Sequence, residues 1–379
     1  MVASRLWLLA GAALVGVGMV AAAARWSAAT TGPLWCLPPL FEDGQRLHSI
    51  PSPSAFWLWP LLRQHQLCHA ARRHPDQLRA IVIGNSAVLG HPLPFDETFT
   101  ARLNQTLSER GVPGRLFNLG FVFPYELRDA LVLHAALEYR PDLIIYPLTL
   151  ADFPHLAPLP FPALAAFFLS NDRELHELSR TGVPGLEEPL QHYDARSTAG
   201  TRAEAYWARL QGVGELARAG ARARAEVLAR WIDPAFTPHS HEERRPHGAY
   251  DCQQTLKDGA RLYRNWQNWN ILAYLQQIRD DSGIPILVVN LPVSHEPIGA
   301  CYNVRYPAVE VSRFNQWLPA ECAARGFECV DLHDLLPPAE FLDPLHPSAE
   351  GHRQIAEQLA PTVERLLRAR AATHGGSVS

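Results

Sequence analysis

From Arg79 onward the chain alternates between two hydrophobic patterns. Short, largely apolar runs at 80–83, 115–118, 143–146, 285–290 and 328–332 read as strands buried on both faces. Between them apolar residues recur every three to four positions. A helix over 95–110 places Phe99, Leu103 and Leu107 on one face. A second, over 125–139, places Leu127, Ala130, Leu131, His134 and Leu137 together. Further helices follow over 265–281, 314–325 and 349–370, the last with Ile355, Leu359, Val363 and Leu366 inward. Gly84, Gly120 and Pro141-Asp142 punctuate the pattern. Strand and helix alternating at this spacing predict a three-layer α/β/α domain around a parallel sheet.

The flanks read differently. Leu6 to Ala24 are nineteen uncharged, mostly apolar residues between Arg5 and Arg25. At about 1.5 Å rise per residue they nearly span a bilayer core of about 30 Å. A cleaved signal peptide would use a shorter apolar core and a small-residue site, which Ala21–Ala24 could supply. The length fits an uncleaved signal anchor better. Residues 1–25 are therefore expected to form a transmembrane signal anchor, and 26–78, rich in Pro, Trp and Leu, a linker and helical collar. The domain is expected over 79–370, with a helical insertion at about 153–256 acting as a cap or partner surface, and 371–379 as a flexible tail.

Of 379 residues, 47% are hydrophobic, ample for a large core, and one α/β domain with insertions accounts for the length. A net charge of -4 without a basic run excludes nucleic acid as an expected partner. Six cysteines, Cys36, Cys68, Cys252, Cys301, Cys322 and Cys329, follow the apolar segment. They are compatible with disulfides in an oxidising compartment, and Cys322 with Cys329 is the expected local pair; six unpaired thiols are the alternative. No CxxC is present, so no zinc or redox motif is supported.

The chemistry is concentrated at two ends of the domain. Asp343-Pro344-Leu345-His346-Pro347 sets a carboxylate three residues before a histidine. Such an acid can hold an imidazole in one tautomer and stabilise its charged form. Ile81-Val82-Ile83-Gly84-Asn85-Ser86 ends an apolar run on a serine, the candidate nucleophile. Each residue also has a plain reading: Ser86 as a helix N-cap, Gly120 as a turn glycine, Asp343 as a loop cap. Their joint order favours the chemical one.

In these blocks the chain resembles the SGNH (GDSL-type) hydrolase superfamily, over about residues 79–152 and 283–370. The resemblance implies a flavodoxin-like SGNH hydrolase fold. It implies Ser86 as nucleophile and first oxyanion donor, Gly120 of Asn118-Leu119-Gly120 as second donor, and Asp343 and His346 as the rest of the triad. Two departures stand out. Asn85 replaces the usual aspartate, and Ala151 falls where the family's oxyanion asparagine belongs, before Asp152. Losing one such donor costs about 10²–10³ in rate, and Thr149 or Asn85 could substitute. The departures resemble membrane-anchored relatives acting on envelope polymers, acyltransferases included. The implied function is an exported serine esterase or O-acyltransferase acting on ester groups of an envelope or secreted glycan. The expected location is the periplasmic face of a bacterial inner membrane, on a single-pass anchor. No cofactor or metal is implied. A non-catalytic scaffold of an envelope polysaccharide system, within an envelope protein complex, is the alternative reading, and a lipase a third.

Weaker candidates are also visible. His239, His241 and His247 share a polar loop expected to be solvated. His333-Asp334 is a second source of a histidine–acid pair, and His352 is expected to pack or cap the last helix. Trp266 and Trp269 could stack on sugar rings, though core packing is their default. The apolar 154–168 segment suits a membrane surface or a cap interior.

Overall fold

The computed structural model describes residues 36–37, 45–46, 58–121, 126–152, 171–183, 271–294 and 308–375. The expected anchor, most of the insertion, Cys252, Cys301, Trp266, Trp269, His239, His241 and His247 lie outside them. Among the described residues no helix is long and apolar enough to cross a membrane.

Chain order begins with helices α1 (Leu58–Gln64) and α2 (Gln66–Arg73), then strand β1 (Arg79–Val82) and a single turn, α3 (Ser86–Leu89). Helix α4 (Phe99–Glu109), β2 (Arg115–Asn118), α5 (Glu126–Ala136) and β3 (Leu143–Leu148) follow. After α6 (Asp172–Ser179) come α7 (Leu272–Ser282), β4 (Ile286–Asn290), α8 (Ala308–Arg325), β5 (Glu328–Asp331) and α9 (Ala349–Gly375). The strands form one five-stranded, wholly parallel sheet in the order β2-β1-β3-β4-β5.

Side chains alternate across that sheet and build two cores. Ala80, Val82, Leu143, Ile145, Leu287 and Val289 pack under α4 and α9. Ile81, Ile83, Ile144, Tyr146, Ile286 and Val288 face the other way, under α1, α2, α5, α7 and α8. This is the expected three-layer arrangement. β1, β3 and β4 are buried along their whole length, which explains their largely apolar runs beside buried Arg79 and Asn290.

Three expectations need correction. The collar is part of the domain: Leu58, Leu61, Leu62 and Leu67 are core residues. Among the described residues a disulfide joins Cys36 to Cys68, while Cys322 and Cys329 are free thiols in hydrogen-bonding contact. The Cys36–Cys68 bond closes a separation of 32 residues. On the chain-entropy account a loop of that size contributes about 3–4 kcal/mol. The helix expected over 95–110 is divided at Thr98, whose extended backbone separates a 3-10 turn, Phe95–Glu97, from α4. The Thr98 hydroxyl accepts the Ala101 N–H and caps α4.

Candidate active site

The sheet order reverses between β1 and β3, the place where open α/β sheets leave a crevice beyond the carboxyl ends of their strands. Ser86 stands there. Gly84 takes the chain out of β1, and Asn85, in extended conformation, caps α3 by accepting the Ala87 N–H at 2.8 Å. Ser86 is the first residue of that helix. Gly90, at φ 84°, closes it in the left-handed region that favours glycine.

The partner loop lies between β5 and α9. A bridge between Phe341 and Pro347 and a Leu342 N–H bond to the His346 carbonyl close it. The Ser294 N–H, beyond β4, donates to the Pro344 carbonyl at 2.9 Å. Within the loop Asp343 Oδ1 accepts the N–H groups of Leu345 and His346, each at 2.9 Å. Its Oδ2 lies 2.7 Å from His346 Nδ1, and His346 Nε2 lies 2.7 Å from Ser86 Oγ. A carboxylate can only accept, so Nδ1 carries the proton and Nε2 is left to accept the Ser86 hydroxyl. Burial pushes the Asp343 carboxyl up. The His346 hydrogen bond and charge, with the two backbone N–H groups, outweigh it and hold the carboxyl at about 2. The exposed His91 ring meets His346 edge-on, with centroids 5.8 Å apart.

The structure therefore joins Ser86, His346 and Asp343 across 260 residues of sequence. His333 is not in this constellation; its two ring nitrogens face Asp331 at 2.8 Å and Asp334 at 2.9 Å. His352 is buried and stacked on Phe99, and its Nδ1 accepts the Phe99 N–H. It thus caps α4 rather than its own helix. Burial, with His346 nearby, pulls its imidazole down to about 3, so it stays neutral.

The expected oxyanion donors fare less well. The Ser86 N–H meets no acceptor among the described residues. The Gly120 N–H, by contrast, already donates to Asn118 Oδ1 at 2.9 Å. Asn118 also donates from Nδ2 to the Val88 carbonyl at 2.8 Å, clamping the β2 loop to α3. Glycine is needed at 120 for packing: a Cβ there would sit 2.4 Å from Leu89 N and 2.9 Å from its Cα. Gly120→Ala is expected to cost about 2–3 kcal/mol as backbone is forced against backbone. Urea unfolding measures this; unchanged stability with slowed chemistry would restore the donor role.

Asn85 and Thr149 are likewise turned away from the expected role. Asn85 Nδ2 lies 2.9 and 3.0 Å from the two Asp152 carboxyl oxygens, and Thr149 donates to Asp152 Oδ2 from both its N–H and its hydroxyl. Both residues are buried. Behind Asp152 lie Glu126, Arg128, Asp129 and Tyr146, all buried and none singled out by the sequence pattern. Burial and neighbouring Asp129 raise Asp152 to about 7, against the lowering by Thr149, Asn85 and Arg128. Glu126 is raised well above the usual carboxylate range by burial, then by Asp152 and Asp129.

No protein-family model and no curated protein matches the sequence. Among solved structures, a carbohydrate acetylesterase family member from Sinorhizobium meliloti is 12% identical over 76% of this chain and 99% of its own, with a TM-score of 0.36. A lipase/acylhydrolase from Enterococcus faecalis is 10% identical over 76% and 96%, with a TM-score of 0.37. At these values the likeness carries no weight beside the geometry of Ser86, His346 and Asp343.

Proposed function

We propose that this chain is a serine esterase or O-acyltransferase of the SGNH type. The observation that carries the proposal is the single imidazole of His346 lying 2.7 Å from both Ser86 Oγ and Asp343 Oδ2. In the proposed reaction His346 takes the Ser86 proton as Oγ attacks an ester carbonyl. The Ser86 N–H steadies the developing oxyanion, and ionised Asp343 steadies the imidazolium. The proton then passes to the departing alcohol, leaving an acyl-serine. Water as second acceptor makes the chain an esterase; a sugar hydroxyl makes it a transferase.

The substrate is proposed to be an ester of an envelope or secreted glycan, reached from a single-pass anchor at residues 6–24 on the periplasmic face of a bacterial inner membrane. The apolar run of that segment supports this placement, as does the Cys36–Cys68 disulfide, a bond that persists in oxidising compartments. Binding without turnover, as a scaffold in an envelope protein complex, is the second reading. It is favoured by the Gly120 N–H, whose acceptor is already inside the protein.

Fluorophosphonate labelling of the detergent-solubilised full chain separates the two. Labelling of the wild type that is absent from Ser86→Ala supports an activated serine. A folded wild type that resists the probe supports the scaffold.

A further inference from the structure

Directly beneath the nucleophile turn lies a set of buried ionisable groups that the serine–histidine–aspartate relay does not use. Asp152 is only 1% exposed, yet its carboxyl oxygens receive donors from Asn85 and from two atoms of Thr149. The same Asn85 presents its Oδ1 to the Ala87 N–H at 2.8 Å. On the far side, α5 supplies Arg128, whose Nη2 donates to the Gly84 carbonyl at 3.2 Å. Arg128 Nε donates to Asp129 Oδ1 at 2.9 Å, and the Tyr146 hydroxyl, from β3, donates to Asp129 Oδ2 at 3.0 Å. Gly84 and Asn85, which lead into Ser86, are thus gripped from two directions.

An asparagine amide is reversible: either end can face a given neighbour unless a partner forbids it. At Asn85 the direction matters, because only the carbonyl oxygen can cap α3. A partner able to donate would tolerate the flipped amide. A carboxylate cannot donate, so it admits only the orientation that keeps the cap.

We propose that Asp152 is a positioning residue for Ser86: its carboxylate fixes the direction of the Asn85 amide, and through that cap holds the first turn of the helix bearing the nucleophile. The inference rests on Ser86 being the nucleophile. The charged and titratable groups facing Asp152 are Glu126, Arg128 and Asp129 of α5 and Tyr146 of β3. With Asp152 held at about 7 by burial and Asp129, its acceptor-only form is gained as pH rises through neutrality. Wild-type acylation therefore gains a rising limb there.

The test is a double-mutant cycle on the full chain, reading the limiting rate and half-saturation of fluorophosphonate acylation for wild type, Asp152→Asn, Asn85→Asp and the double variant that exchanges the two residues. Asp152→Asn is expected to slow the limiting rate about 100-fold, the cost of a misplaced reacting atom, with half-saturation within about twofold. Asn85→Asp alone sets two carboxyls face to face and is expected to be slow as well. The exchanged pair restores one carboxylate and one amide with their places reversed, and is expected to recover to within about tenfold of wild type. Wild-type rates in Asp152→Asn, or a pair no faster than the slower single variant, would overturn the proposal. Should the folded wild type not react, the nucleophile reading fails instead. Hydrogen exchange at the Ala87 amide then decides the positioning claim: protection lost in Asp152→Asn upholds it, and unchanged protection overturns it.

Discussion

His346→Ala is expected to lower the acylation rate of Ser86 by about 10⁴–10⁶-fold while leaving the domain folded. The imidazole is the only group among the described residues bonded to both Ser86 Oγ and a carboxylate. Without it the serine hydroxyl has no acceptor for its proton. The histidine sits in a loop closed by its own backbone bonds, so its side chain is not needed to hold that loop together. Asp343→Asn is expected to cost about 10⁴-fold, because an amide facing Nδ1 permits the wrong tautomer. Stopped-flow acylation by an activated acetyl ester, beside a thermal melt, makes the comparison. Wild-type rates in a folded His346→Ala chain would exclude this histidine as the base, and the neighbouring His91 would become the next residue to remove.

Arg128→Met is expected to destabilise the fold by about 3–5 kcal/mol at pH 8, the scale for stripping a buried charge of its partner. Arg128 is the positive member of a cluster whose acids are Glu126, Asp129 and Asp152, and it also holds the Gly84 carbonyl. Burial already raises Asp129 despite Arg128, so removal of the guanidinium raises it further. At pH 5 Asp152, at about 7, is protonated and the penalty is expected to shrink. Urea unfolding of both chains at the two pH values checks this; an equal penalty at both would show that Arg128 acts by packing alone.

The sign of the wild-type dependence follows from the same groups. Asp152, at about 7 when folded, lies above the carboxylate's unfolded value of about 3.9. Between those values the folded chain binds more protons than the unfolded one, so this contribution falls as pH rises through the window. Asp343 acts oppositely. Its carboxyl at about 2 supplies stability above about pH 4 that is lost as pH falls towards 2.

Strands β1, β3 and β4 are legible in the sequence because burial on two faces leaves a largely apolar run, whereas the edge strands β2 and β5 are partly exposed and carry Arg115, Glu328 and Asp331. The elements that escape have mixed environments. Helices α1 and α2 read as a linker and helical collar outside the domain because the stretch lacks clear periodicity, yet their leucines fill one side of the core. Helix α5 reads as a stripe of Leu127, Ala130, Leu131, His134 and Leu137, which leaves Glu126, Arg128 and Asp129 unplaced. In the fold Glu126, Arg128 and Asp129 are buried; Arg128 pairs with adjacent Asp129, and the Gly84 carbonyl and Tyr146 hydroxyl, distant in the chain, bond to that pair. Nothing local announces those distant bonds. Ser86, Asp343 and His346 are legible because short-range motifs carry them, Ser86 just past β1 and Asp343-x-x-His346 in the loop before α9. Gly120 is legible as a required glycine but not for the right reason, since its constraint is the backbone of Leu89, thirty-one residues earlier. Cys322 and Cys329 are close in sequence, but closeness along the chain does not ensure bonding geometry.

The Cys36–Cys68 bond also sets a leash. In a chain held at the membrane by residues 6–24, as proposed, it would act beside the bonds that tie Leu37, Gln45 and Arg46 to the folded body. The crosslink pins residue 36 to α2, so under that proposal residues 25–36 would be the tether between anchor and body. At no more than about 3.6 Å per residue, that tether reaches about 40 Å. The serine would be confined to a shell close above the bilayer, so that an ester's height above the membrane becomes part of what selects it.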